Sequence, residues 1–238
     1  MVGSIALVGS GEYLPEMLDL EQILLDEGMK QGKRARYLQI PTAAGLEGRD
    51  RLEYWKNLGA QQTARLGVEQ VFLPVYERDD ANNPEFAKLL DDSALVYLSG
   101  GNPAHLAESL RGTLLADAIF RNWQTGGSVA GCSAGAMALC SEVVGFRFTK
   151  DSVVEGLGLV QNLKVLPHYD RYFRFVPELA IKKLVRETSD AVLVGIDELT
   201  ALIRLDSSWQ VHGESYVHVL HSEATLKYTH EELVTLNT

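Results

Sequence analysis

The sequence predicts an α/β fold, with a mostly parallel central sheet, helices on both its faces and an antiparallel extension toward the C-terminus. Three observations lead there. Short β-rich runs alternate with longer amphipathic segments, the order that βαβ units produce. The last third changes to strand-like runs with short gaps between them. Between these regions, at Gly131-Cys132-Ser133-Ala134-Gly135-Ala136, an apolar run gives way to a helix-like one at a serine set between glycines.

The elements follow in order. Ile5 to Val8 reads as a first strand, and GSGEYLP as the loop after it. From about residue 15 to 31, Met17, Leu18, Leu20, Ile23, Leu24 and Met29 keep helical spacing. RYLQIP is a second strand, stopped by Pro41, and a polar helix-like stretch runs from Glu47 to Leu66. VEQVFLPV, ALVYLSGG and SVAGCS are the third, fourth and fifth strands, with a helix from Ala134. AVLVGIDE, TALIRLD, WQVHG and ESYVHVLH then supply a mixed or antiparallel extension of the sheet. No internal repeat, low-complexity tract or Pro-, Gly- or Ser-rich linker interrupts the chain, so residues 1–238 are expected to form one domain.

Composition narrows the function classes. With 46% hydrophobic and 23% charged residues, the chain resembles an ordinary soluble protein. A formal net charge of −10 opposes nucleic acid as the main partner. No apolar run approaches the ~20 residues that span a bilayer, so no membrane partner is expected. The opening MVGSIALVGSGEY lacks a basic region and reads as a strand, not a signal peptide. The two cysteines, Cys132 and Cys140, form neither a disulfide framework nor a zinc pattern. A cytoplasmic protein is expected, with no cofactor and no bound metal.

Gly131-Cys132-Ser133-Ala134-Gly135 fits G-x-S-x-G, the pattern of a nucleophile elbow. Such a turn pushes the central hydroxyl out at the carboxyl end of the sheet, where open α/β sheets bind ligands. The register selects Ser133 as nucleophile and directs Cys132 elsewhere. The N–H of Ala134, at the start of the following helix, is placed to hold an oxyanion. Gly100 and Gly101 end the preceding strand and offer a second donor. The plain alternative is that small residues merely pack a tight strand-to-helix turn. Gly9-Ser10-Gly11 lacks the third glycine of a dinucleotide fingerprint.

A serine nucleophile needs a base, and the base an orienting acid. His168, in KVLPHYDR, ends a strand-like run downstream of the elbow and is the chosen base. His105 falls on a helix after the Gly-Gly turn, and His212, His218, His221 and His230 lie in the C-terminal region. Two acids stand as alternatives, Glu198 in GIDELTALI and Asp151 between Ser133 and His168, with Glu155 and Asp197 behind them.

Assembled in this order, LVGSGEY, PTAAG, LSGGN, GCSAGAMAL, GLGLV, LPHY, GIDELTALI and WQVHGESYVHVL resemble the dipeptidase E and cyanophycinase family of serine peptidases. The resemblance implies a fold like the class I glutamine amidotransferases, a nucleophile at Ser133, a base at His168 and an oxyanion pocket near Gly101 and Ala134. It offers precedents for either acid, Asp151 or Glu198. Cyanophycinases resemble D-Q-H followed by spaced arginines, whereas this chain has Leu166-Pro167-His168 and then Arg171 and Arg174. The Pro-His pair is closer to dipeptidase E, whose members favour an N-terminal aspartate. A small peptide is therefore the expected substrate, with Asn102, Arg171 and Arg174 as the residues that bind it. A homodimer is compatible with such a fold. Two other readings remain open: a thiol enzyme resembling the glutamine amidotransferases, and a non-catalytic ligand-binding member.

Overall fold

The computed structural model describes residues 1–144, 154–174, 176–187 and 191–236. Its strands are β1 (Ile5–Val8), β2 (Arg34–Ile40), β3 (Glu69–Phe72), β4 (Ser93–Leu98), β5 (Ser128–Cys132), β6 (Glu142–Val143), β7 (Val154–Glu155), β8 (Leu163–Pro167), β9 (Val192–Ile196), β10 (Thr200–Leu205), β11 (Ser208–Gly213), β12 (Val217–Leu220), β13 (Thr225–Tyr228) and β14 (Leu233–Val234). Its helices are α1 (Leu18–Lys30), α2 (Arg49–Leu66), α3 (Arg78–Ala81), α4 (Pro84–Leu90), α5 (Pro103–Leu110), α6 (Leu114–Gln124), α7 (Ala134–Leu139), α8 (Tyr169–Tyr172) and α9 (Glu178–Glu187).

The central sheet runs β14-β11-β10-β1-β5-β4-β2-β3. Its five strands from β1 to β3 are parallel, and β10, β11 and β14 continue the sheet, each antiparallel to the strand before it. Strands buried on both faces read as continuous apolar runs, and β1, β4 and β5 are buried at every position. Alternate residues feed two cores. Ile5, Leu7, Val96, Leu98 and Val129 pack with α5, α6 and α7, while Ala6, Val8, Leu95, Tyr97 and Ala130 pack with α1. The α1 contact needs Gly28, because a Cβ there would stand 2.3 Å from the carbonyl oxygen of Ala94.

The C-terminal strands depart from the simple extension. Strands β10 and β11 do extend the central sheet, but β9 and β12 join β8 and β13 in a second sheet of order β13-β12-β9-β8. Leu199, at φ +53, turns the chain out of β9 in one sheet and into β10 in the other. The third strand is shorter than VEQVFLPV suggests; Pro74 has no N–H with which to continue a ladder.

One buried polar cluster lies in the α1 core. Glu21 is fully buried among Tyr13, Tyr37, Tyr97 and Gln62, and neither carboxyl oxygen has a hydrogen-bond partner of normal geometry. Burial pushes its carboxyl up to about 8, against weaker opposing help from Gln62, the Tyr13 main chain and Tyr37. The Tyr37 and Tyr97 rings stack with centroids 5.7 Å apart.

Candidate active site

Three parallel strands end level beneath the site. Val8 pairs with Cys132, and Leu98 with Gly131. At this edge Ser133 takes φ +50 and ψ −105, a left-handed conformation that costs a side-chain-bearing residue roughly 1–3 kcal/mol. Both flanking glycines are sterically required. A Cβ at Gly131 would stand 2.4 Å from the carbonyl carbon of Gly135, and one at Gly135 would stand 2.3 Å from the Leu98 carbonyl oxygen. The expected elbow is therefore enforced by close backbone contacts, with the Ser133 N–H bonded to the Val8 carbonyl at 2.9 Å.

The second sheet delivers the imidazole and the acid together. Strands β8 and β9 are parallel, with Pro167 level with Ile196. The residues just beyond them therefore emerge side by side. His168 Nε2 lies 2.6 Å from Ser133 Oγ, and its Nδ1 lies 3.2 Å from Glu198 Oε1. A carboxylate only accepts, so Nδ1 carries the ring proton and Nε2 is left to accept from the serine. His168 too has a positive φ, +122. Burial would raise the Glu198 carboxyl, but hydrogen bonds and charge from His168 and Arg171 hold it below the ordinary range. Arg171 donates to Glu198 Oε1 at 3.2 Å, and the Glu198 N–H donates to Asp170 Oδ1 at 3.1 Å.

Two N–H groups face this end of the sheet without a protein acceptor among the described residues. Ala134 is the first residue of α7, and Gly101 sits in the turn after β4 at φ +139. A Cβ on Gly101 would stand 2.4 Å from the Ala43 carbonyl oxygen, so the PTAAG loop dictates glycine there.

A pocket of about 350 Å³ opens over Ser133, with Gly101, Ala134 and His168 in its wall. Asn102 and Arg174 are not among its lining residues. Asn102 caps α5 by accepting from the His105 N–H, and Arg174 lines a separate depression with Tyr169, Asp170 and Phe173. Arg171 is joined to Glu198 and is likewise absent from the pocket wall. The arginine that does line the pocket is Arg51 on α2, its guanidinium over the Tyr54 and Trp55 rings and its Nε 3.1 Å from Glu47. The polar stretch that carries it held no motif to single it out. Glu12, Trp55 and Tyr172 also line the pocket and escaped the sequence reading.

Asp151 lies outside the described residues. Cys132 points away from the pocket, as its register required. Its Sγ donates to Glu12 Oε2 at 2.9 Å, and burial together with the Glu12 charge pushes the thiol well above its usual range. Cys140 is buried, its thiol pushed up to about 12. Neither is poised as a thiolate nucleophile. His212 and His218 fall in different sheets, and among the described residues no cluster of three His, Cys, Asp or Glu side chains is arranged for a metal. Nor is any described helix long and apolar enough to cross a membrane.

The family model described as Peptidase family S51 matches residues 5–212. The crystal structure of a peptidase from an acI-B1 Actinobacterium is 47% identical, with a TM-score of 0.92 over 99% of this chain and 98% of that one. The uncharacterized peptidase YgaJ of Bacillus subtilis (strain 168) is 29% identical over 168 residues, 70% of this chain and 68% of its own length. A putative peptidase E from Listeria monocytogenes EGD-e, at 22% identity and a TM-score of 0.64 over 90% of this chain and all of its own, shares the class I glutamine amidotransferase-like fold. Because the family match spans most of the chain, the chain belongs to peptidase family S51 and is a serine-type peptidase.

Proposed function

We propose that this peptidase hydrolyses small peptides, acidic dipeptides among them, by acyl transfer through Ser133, His168 and Glu198. The observation that carries the reading is the 2.6 Å contact between Ser133 Oγ and His168 Nε2 at a turn that leaves the hydroxyl facing a pocket. His168 takes the serine proton as Oγ attacks the scissile carbonyl. The N–H groups of Gly101 and Ala134 hold the resulting oxyanion. The imidazolium, kept in place by Glu198, then protonates the leaving amine. Water, deprotonated by the same imidazole, attacks the acyl-serine and releases the acid product.

The size of the pocket favours a short substrate. Arg51, already seated on its wall, is the guanidinium available to a substrate carboxylate, a role the sequence suggested for Arg171 or Arg174. The unpaired, buried state of both cysteines suits a reducing, cytoplasmic setting.

The test is a dipeptide library run against the wild type and Ser133→Ala, with fluorophosphonate labelling mapped by mass spectrometry. Labelling is expected at Ser133, and iodoacetamide should leave turnover intact. Changing a substrate acid to its amide should lower kcat/KM at least about 10-fold in the wild type, and Arg51→Ala should narrow that gap. Equal turnover of acid and amide removes the acidic preference. Absence of labelling, or of any hydrolysis that Ser133→Ala abolishes, removes the mechanism.

A further inference from the structure

The loop after β1 places a carboxylate against the catalytic turn. Glu12 follows Gly11, which stands at φ +96, and it is 8% exposed on the pocket wall. Its two oxygens are used separately. Oε1 accepts from the Gly100 N–H at 2.9 Å, and Oε2 accepts from the Cys132 thiol at 2.9 Å. Gly100 belongs to the turn that presents the Gly101 N–H, and Cys132 is the last residue before Ser133 and Ala134. One side chain thus joins the two segments that each supply a candidate oxyanion donor. The approach is close: a Cβ on Gly100 would lie 2.6 Å from Glu12 Oε1 and 3.6 Å from Ser133 Cβ.

The placement is electrostatically awkward. A carboxylate here lines the same pocket as Ser133, where a tetrahedral oxyanion would gather negative charge, and like charges repel most strongly where water is scarce. Its geometry must therefore be worth more than its charge costs. Without an acceptor at Oε1, the Ser99–Gly100 peptide, whose N–H is the one Glu12 holds, loses that restraint, and the Gly100 backbone angles that aim the next peptide, the one bearing the Gly101 N–H, are freer to change.

We propose that Glu12 is a positioning residue that ties the Ser99–Gly100 peptide to the end of β5 and so sets the turn at Gly100, with the Gly101 and Ala134 N–H groups then converging on one point above Ser133. The role rests on the acyl-transfer reading above. It is one of shape and reach rather than charge. A glutamine can keep its oxygen on the Gly100 N–H and turn its amide toward the Cys132 sulfur. An aspartate keeps the charge but is one methylene too short to hold both partners.

The experiment compares wild type, Glu12→Gln, Glu12→Asp and Glu12→Ala on p-nitrophenyl acetate and its thiono analogue, with melting temperatures recorded alongside. Sulfur is a poor match for an oxyanion pocket, so the oxygen-to-sulfur rate ratio reports how well the two donors converge. Glu12→Ala and Glu12→Asp are expected to lose about 10- to 100-fold in kcat on the oxygen ester. KM should stay within about 2-fold, and the oxygen-to-sulfur ratio should shrink. Glu12→Gln should recover most of the loss in both rate and ratio. The proposal is overturned if Glu12→Asp matches the wild type while Glu12→Gln fails, since charge would then be the function. It is also overturned if the ratio holds constant across all four proteins. A wild type that neither turns over the ester nor takes a fluorophosphonate at Ser133 strikes the acyl-transfer reading itself, and this proposal falls with it.

Discussion

Replacing Ser133 with alanine is expected to lower kcat by about 10⁴-fold or more on any peptide the wild type cleaves. The native fold should persist. The side chain contributes its hydroxyl to one hydrogen bond, with His168, while the turn around it is enforced by Gly131 and Gly135 through backbone contacts. His168→Ala should fall by a comparable factor, and the double variant no further than the worse single one, because nucleophile and base act as one unit. A second outcome separates chemistry from stability. At φ +50 any side chain is strained, so Ser133→Gly should be as inactive as the alanine variant yet more stable by up to about 1 kcal/mol. Steady-state kinetics and urea unfolding check both. More than a few per cent of wild-type turnover in Ser133→Ala would mean that another group attacks the carbonyl.

The second large effect concerns Glu21, buried in the α1 core and not part of the pocket wall. Its carboxyl is held at about 8 in the folded chain against 4.5 for the ordinary group. The folded state therefore binds a proton that the unfolded state has released between those values. Below about pH 4.5 both states are protonated and the group makes no difference. From there to about pH 8, stability declines as the pH rises, by roughly 4–5 kcal/mol over the whole window. Glu21→Gln keeps the shape and never ionises, so it should remove that slope. The variant should match the wild type near pH 4.5 and exceed it most at pH 8. Denaturation free energies of both proteins across this range give the answer by difference, which cancels groups common to the two. Parallel profiles would show that Glu21 is ionised, or solvated, in the native state.

What the sequence revealed and what it hid follow from how local each constraint is. The elbow was legible because its demands lie within five residues: two glycines with no room for a Cβ, and a serine at the corner. The parallel strands were legible because β1, β4 and β5, buried on both sides, are apolar apart from the leading serines of the latter two, Ser93 and Ser128, whose hydroxyls bond to main-chain carbonyls. That Glu198 reaches His168 was not legible. What brings Glu198 to His168 is the level pairing of β8 with β9, a tertiary register that no spacing in the chain encodes. The split of the C-terminal strands between two sheets was hidden for a related reason. Similar alternating patterns suit either sheet, and the switch is made at Leu199 by one residue of left-handed backbone. Glu12 resembled any acid in a surface loop, and Arg51 any charge on a polar helix. Proximity to Ser133 distinguishes them, and it exists only after folding. Asn102 and Arg174 stand near the Gly-Gly turn and His168 in sequence. Nearness along the chain proved a poor guide to the pocket wall: a helix cap claimed the first, and the second lines another depression.

Ser133 rides on the eight-stranded sheet and His168 on the four-stranded one, with Glu198 in the link that passes from β9 in the second to β10 in the first. The proposed proton relay is thus assembled across a seam between two scaffolds, each with its own ladder of hydrogen bonds. A slip of about one ångström along that seam would open the serine–imidazole contact while both ladders stayed intact. Such a molecule can be idle yet fully folded, and the quality of packing at the seam, rather than global stability, sets how often it is ready to work.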